Sequence, residues 1–271
     1  MDFFTCPVCK KRLTKKDRSL ICENGHCFDL SKKGYVNLLR PAKSSGVRHG
    51  DDKLMVSART AFLGAGFYDT LRDVVTETVL HYAKESSKIL DAGCGEGFYT
   101  SHIRGALAEQ NPSVYGIDVS KDAIHAAAVR DKQLRLAVAS IFDLPVEDRS
   151  IDILVNLFAP YDAAEFSRVL KDHGILLRVF PREKHLWELK TAVYDVPYEN
   201  EIDTLVLEGF DLVEKREITF PLALHTKEYI DTLFKMTPYY YKTSREGQAK
   251  LRALDSLQTH AEFLLVVYRK V

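Results

Sequence analysis

From Lys88 onward the chain alternates short apolar runs with amphipathic ones. The apolar runs cover 88–91, 114–118, 134–138, 151–157 and 175–180. Runs of this length bounded by turn residues predict strands. Between them apolar residues recur at helical spacing. Tyr99, Ile103, Ala106 and Leu107 share one face of a helix over 98–108. Another helix follows over 121–130, a third runs through Phe166, Val169 and Leu170, and a fourth starts near Glu183. Strands alternating with helices predict an α/β fold whose parallel sheet is covered by helices. Ile218–Leu222 and Glu262–Arg269 read as two late strands. Upstream, Met55, Ala58, Arg59, Phe62 and Leu63 form a helical stripe that stops near Gly64 and Gly66. Leu71, Val74, Val75, Val79 and Tyr82 form a second stripe. The polar stretch Pro41–Asp52 has the composition of a linker. Residues 1 to about 36 hold a cysteine and histidine cluster, with turns at Gly25 and Gly34.

One junction in this alternation carries chemistry. The first strand ends at Asp91, and Gly93, Gly95 and Gly97 follow, with Glu96 among them, before the helix begins. Glycine lets the backbone take positive φ and approach a ligand closely. The helix N-terminus then offers free N–H groups and a positive dipole end. The next strand ends in Asp118, placed to accept hydrogen bonds from ribose hydroxyls. The spacing is D-x-G-x-G-x-G rather than the G-x-G-x-x-G of dinucleotide sites. A tight turn with incidental glycines is the plain alternative. This loop with Asp118 resembles the first two motifs of the S-adenosylmethionine-dependent methyltransferases, over about residues 86–180.

With 271 residues the chain can hold one large domain, or a domain and a module. No apolar run approaches the roughly 18 residues of a membrane span. The N-terminus lacks the basic and apolar regions of a signal peptide, so a cytoplasmic protein is expected. Zero net charge hides an asymmetry: residues 1–50 carry 11 Lys/Arg against 4 Asp/Glu, and the rest of the chain compensates. A basic module on a mildly acidic body suits a nucleic-acid partner, although a solvated basic surface accounts for the charge equally. Lys10, Lys11, Arg12, Lys15, Lys16 and Arg18 are the cations expected to grip phosphates.

Four of the five cysteines fall within the first 27 residues. Cys6-x2-Cys9 is the short loop that sets two thiolates on one metal, and a later pair closes a tetrahedral site. That pair is Cys22 with either His26 or Cys27, and spacing alone allows both. Four protein ligands make a structural zinc, one per chain, which supplies much of the folding energy of so short a segment. Reduced, buried thiols are the alternative.

The two halves together resemble the bacterial 23S ribosomal RNA guanine-N1 methyltransferases. The resemblance spans the chain. Its specific stretches are Cys6-Pro7-x-Cys9, Gly34-Tyr35-Val36-Asn37-Leu38-Leu39, Arg59-x-x-Phe62-Leu63-x-Ala65-Gly66-x-Tyr68, the glycine loop, His185-Leu186-x-Glu188-Leu189-Lys190 and Met236-Thr237-Pro238. It implies a Rossmann-like, mostly parallel seven-stranded sheet with a small N-terminal zinc-binding domain. The segments are then a zinc-binding RNA-recognition module over 1–40, a linker and helices over 41–84, and the methyltransferase domain over 85–271. It implies His26 as the fourth zinc ligand, and Tyr68 and His185 at the cofactor site. From the residues alone Tyr68 reads as a helix-start aromatic and His185 as a surface histidine. Ser140 stands where many such enzymes place an aspartate for the adenine. The implied reaction moves a methyl group from S-adenosylmethionine to N1 of a guanine in a hairpin loop of 23S rRNA. Asn156, Phe158 and Tyr161, after the fourth strand, are the candidates to position that base. No general base stands out, because Asp162 reads better as a helix N-cap. A small-molecule methyltransferase, or a non-catalytic zinc RNA-binding protein on the same fold, are the competing readings. No membrane partner is expected, and a homodimer is left open.

Overall fold

The computed structural model describes residues 3–40, 50–202 and 205–271. Most of the linker read from composition therefore lies outside the described residues. Three short strands, β1 (Thr14–Lys16), β2 (Ser19–Ile21) and β3 (Cys27–Asp29), form an antiparallel sheet. After β4 (Val36–Asn37) come α1 (Lys53–Gly64) and α2 (Asp69–Tyr82). The alternation then runs β5 (Lys88–Ala92), α3 (Phe98–Ala106), β6 (Ser113–Asp118), α4 (Lys121–Arg130), β7 (Arg135–Val138) and β8 (Ile151–Leu157). It continues through α5 (Ala163–Val169), β9 (Leu170–Pro181), α6 (Trp187–Val193) and β10 (Phe210–Leu224). The chain closes with α7 (Lys227–Lys235), α8 (Tyr239–Lys242), α9 (Arg245–Arg252) and β11 (Leu257–Lys270).

The large sheet has the order β10-β11-β9-β8-β5-β6-β7-β4, with β11 antiparallel to both neighbours and the other pairs parallel. The expected seven strands are present, and the two-residue β4 adds an eighth. From β5 the chain steps outward to β6 and β7, then returns to β8 on the other side. That reversal opens a crevice beyond the carboxyl ends of β5 and β8, where open α/β sheets bind ligands.

Local chemistry sets the helix starts. Asp52 accepts from the Met55 N–H at 2.9 Å to cap α1, Ser120 accepts from Ala123 to cap α4, and Asp162 accepts from Glu165 to cap α5. Helix α6 starts at Trp187, later than the periodicity suggests, because Leu186 takes a left-handed conformation at φ 56°. Strand β10 extends well beyond its apolar stretch because its first half is largely exposed and so carries polar residues.

Apolar side chains pack on both faces of the sheet. On one face the irregular segment 139–150 replaces a covering helix, and Phe3, Phe4, Leu13 and Leu20 pack there with Leu90, Tyr115 and Ile117. Phe3 stacks on Tyr115 with ring centroids 3.6 Å apart. The N-terminal module thus shares the core of the large sheet, with packing continuous across the boundary read at residue 40. Among the described residues no helix is long and apolar enough to cross a membrane.

Candidate active site and metal centre

The crevice is a cleft of about 1570 Å³. Tyr68, Asp91, Gly93, Gly95, Glu96, Asp118, Ser140 and His185 all line it, as do Phe158 and Tyr161. Two expected members do not. Gly97 caps α3 at φ 80°, and a Cβ there would stand 2.9 Å from Cβ of Ala127, so this glycine serves the packing of α3 on α4. Asn156 is buried, and its amide donates to the carbonyls of Ala92 at 2.9 Å and Pro160 at 3.1 Å. Its donors therefore tie β5 to the loop after β8 and are not offered to a base.

On the glycine-loop side, both Asp118 oxygens accept backbone N–H groups, from Gly95 at 3.0 Å and Ser120 at 2.8 Å. The loop is thereby fixed to the end of β6, and each oxygen keeps a second lone pair for a ligand hydroxyl. Asp91 accepts from the Thr100 hydroxyl at 2.5 Å through one oxygen, and its other oxygen is buried without a hydrogen bond. Burial pushes its carboxyl up to about 7. Glu96 pairs with Arg130 through one oxygen, and its second oxygen is likewise buried without a partner. Unsatisfied carboxylate oxygens at a cleft wall call for a donor, and Gly95, where a Cβ would meet nothing nearer than 3.8 Å, leaves room for one. Such a wall fits a nucleoside-bearing, amine-bearing cofactor.

His185 is buried rather than at the surface. Its Nδ1 accepts from the Glu262 N–H at 3.1 Å, which leaves Nε2–H as the donor. Burial pushes its imidazole down to about 3, so the ring is neutral. Tyr68 precedes α2 and packs edge-on against Phe62, Phe220 and Phe263. Phe158, 44% exposed, holds φ 57°, a conformation that costs a bulky residue about 1–3 kcal/mol and clusters at functional sites. The carboxylate of Asp162 is engaged as the α5 cap, in line with its N-cap reading.

The sequence reading passed over three cleft residues. Arg59 donates to the Met236 carbonyl at 3.2 Å and pairs with Asp51. Phe142 is 58% exposed at the cleft. Arg178 lines it from β9, and a lone cation inside the apolar run 175–180 was the available signal.

In the zinc module the ligand atoms of Cys6, Cys9, Cys22 and His26 lie within 4.8 Å of one another. Nδ1 of His26 stands 3.5 Å from Sγ of Cys6 and 3.3 Å from that of Cys22. Three sulfurs and one nitrogen so gathered fit a closed, structural zinc site. Cys27 is exposed on β3 and outside the cluster. Substituting His26→Ala should therefore strip the purified protein of zinc, and Cys27→Ala should leave it one equivalent. Metal analysis giving the reverse would move the fourth ligand to Cys27.

The cations of this module divide. Lys10 pairs with Asp143, and Arg12 pairs with both oxygens of Glu147 at 2.9 and 2.8 Å, while Lys11 meets Glu23. Lys10 and Arg12 thus face the catalytic body, which corrects the expectation that all six grip phosphates. Exposed pairs of this kind contribute about 0–1 kcal/mol each, so the buried Phe3 and Phe4 hold the junction. Lys15, Lys16 and Arg18 are exposed on and beside β1.

The sequence profile described as "RlmA, N-terminal", a zinc ribbon, matches residues 4–45, and one described as "Methyltransferase domain" matches residues 83–197. A Bacillus subtilis (strain 168) protein provisionally named 23S rRNA (guanine-N(1)-)-methyltransferase YxjB is 35% identical over 266 residues, covering 93% of this chain and 92% of its own. The 23S rRNA (guanine(748)-N(1))-methyltransferase of Streptomyces fradiae is 35% identical over 195 residues, covering 70% of this chain and 68% of its own. A demethylmenaquinone methyltransferase of Bacillus mycoides (strain KBAB4) is 31% identical over 94 residues, covering 33% of this chain and 39% of its own.

Proposed function

Because this chain belongs to the family of 23S rRNA (guanine-N1) methyltransferases, we propose that its cleft seats cofactor and target base side by side, with the zinc ribbon forming part of the RNA-facing wall. The enzyme transfers a methyl group from S-adenosylmethionine to N1 of a guanine in 23S rRNA. One observation carries the assignment of the cleft to RNA. Asn37, Leu39 and Arg40, at the end of the zinc module, line the same cleft as Asp91 and Asp118. A small-molecule enzyme needs no such wall, and a binding protein without catalysis needs no orphaned carboxylates beside a glycine loop.

Bound S-adenosylmethionine supplies an electrophilic methyl group on a sulfonium, which departs as a neutral thioether. The chain positions the partners, and positioning accounts for much of such a rate. Asp118 accepts the ribose hydroxyls. Gly93 and Gly95 let the backbone come close to the methionine end, where the free oxygens of Asp91 and Glu96 take N–H donors. Ser140 lies at the adenine end, and Tyr68 and His185 close the cofactor side. N1 of guanine is hidden in a base pair, so the target is an unpaired base of a hairpin loop, splayed into the cleft. Phe158 offers an exposed face on which it stacks, and Tyr161 lines the cleft beside it. A ribosomal substrate supports a cytoplasmic location for the enzyme.

A methyl on N1 blocks the pairing edge, so reverse transcription of 23S rRNA treated with the protein and S-adenosylmethionine should halt at one guanine of a hairpin loop. Methylation of another atom, or none on rRNA from cells lacking the enzyme, overturns the reading. Neutralising Lys15, Lys16 and Arg18 together should weaken RNA binding and flatten its log–log salt dependence by up to about 2–3, at roughly 0.7–0.9 per phosphate contact. Neutralising Lys10 and Arg12 should leave that slope in place. The opposite outcome would put the RNA on the other side of the module.

A further inference from the structure

We propose that Arg178 recognises the target guanine at O6 and holds the negative charge that gathers there as N1 loses its proton. The proposal rests on the guanine-N1 reading above. Arg178 stands near the carboxyl end of β9, in register with Asn156 of β8, and is 4% exposed. Its guanidinium lies 3.6 Å from the ring centroid of Tyr161 and 5.6 Å from that of Phe180. Both rings line the cleft at its β8–β9 side, next to Phe158 and Pro160 of the loop after β8. The acidic groups Asp91, Glu96 and Asp118 line the same cleft from β5, the glycine loop and β6.

A charge so buried is costly to desolvate, and aromatic faces recover part of that cost. Stacking engages the flat face of the guanidinium, while its N–H donors lie in the plane and point past the ring. Guanine presents O6 and N7 as two acceptors in the spacing that an arginine fork matches. A base held by that edge keeps N1 open to the methyl donor.

The chemistry asks for such a donor. Neutral guanine carries a hydrogen on N1, so the N1–H bond must break and its proton pass to water. The electron pair left on N1 is shared with O6, and it forms the new bond to the methyl carbon. The methyl–sulfur pair stays on sulfur. Arg178 remains protonated throughout and stabilises charge at O6 without taking a proton. A donor fixed before charge develops, in a site shielded from water, lowers the barrier more than the same donor in solution.

The test uses the full-length, zinc-loaded protein, with Arg178→Met and Arg178→Lys. Two rRNA hairpins are compared, one with the target guanine and one with 2-aminopurine, which lacks O6, in its place. Arg178→Met should lower kcat by roughly 10²–10³, as loss of an oxyanion donor does. Its affinity for S-adenosylmethionine by calorimetry should stay within about twofold of wild type, because Arg178 stands on β9, separated by β8 from the strand that carries Asp91 and the glycine loop. Wild type should bind the guanine hairpin more tightly than the aminopurine one, and Arg178→Met should bind both alike. Arg178→Lys, which keeps the charge without the fork, should recover part of kcat. It also provides the binding comparison if the methionine variant does not fold. Unchanged kcat, retained discrimination between the hairpins, or an equal loss of cofactor affinity would each overturn the proposal. A wild-type enzyme that fails to methylate guanine N1 would overturn the functional reading instead, before any variant is made.

Discussion

Stripping the zinc is expected to abolish RNA methylation and to lower the melting temperature of the whole protein by on the order of 10 °C. The first effect follows from the size of the ribbon. Its strands are three residues each, and zinc binding at such sites contributes on the order of 10–16 kcal/mol to folding. The second effect follows from the shared core. When the ribbon melts, Phe3, Phe4, Leu13 and Leu20 leave the sheet face and uncover Tyr115 and Ile117. Burying one such side chain is worth about 1.5–3 kcal/mol, and each kcal/mol lost shifts the melting point of a domain of this size by about 2–4 °C. Methylation assays and calorimetric scans before chelation, after it and after zinc is restored measure the two effects. A main transition that stays in place while the zinc leaves would show the ribbon to be an independent appendage.

Gly93→Ala is expected to weaken S-adenosylmethionine binding at least about tenfold and to destabilise the fold. Two costs coincide there. Gly93 holds φ 95°, and a Cβ built on it would stand 2.4 Å from Cβ of Ala159. Left-handed strain and overpacking each cost about 1–3 kcal/mol, and about 1.4 kcal/mol of that, expressed in the loop geometry, already makes the tenfold. Neighbouring glycines separate the causes. At Gly95 (φ 55°) the nearest of the surrounding atoms is Nη1 of Arg59 at 3.8 Å, so alanine there meets backbone strain without a clash. At Gly105, inside α3, nothing lies within 4 Å and alanine should stabilise by about 0.5–1 kcal/mol. Cofactor titrations and melting curves of the three variants decide the matter. Equal behaviour of Gly93→Ala and Gly105→Ala would mean that the approach to Ala159 is immaterial.

Much of this was legible along the chain, for physical reasons. Buried parallel strands are continuous apolar runs, so β5, β6 and β8 stood out, and the glycines between β5 and α3 marked the cofactor loop. The Cys/His spacing is likewise local, because a metal loop is closed by residues near in sequence. What escaped depends on contacts across the chain. Nothing in a local window tells that Lys10 meets Asp143 or that Asn156 spends its amide on Ala92 and Pro160. The burial of His185 comes from β11, whose Glu262 and Phe263 lie far along the chain. Arg178 was visible as a cation in an apolar run, but its meaning came only once Tyr161 was seen beneath it.

The two margins of the large sheet are protected in different ways. The outer strand β10 carries Lys215, Arg216 and Glu217, a proline at 221 and an irregularity between Leu212 and Glu214. Charge, proline and bulge all discourage a foreign strand from adding on. At the opposite margin β7 is covered by β4, where Val36 and Asn37 pair with Ala137 and Val138 and the Leu38 N–H reaches the Val138 carbonyl at 2.8 Å. A chain cut back to its methyltransferase portion would leave that flank of β7 bare, with unpaired backbone groups beside an uncovered apolar face. Such a fragment should self-associate, so the ribbon also acts as a built-in guard against aggregation.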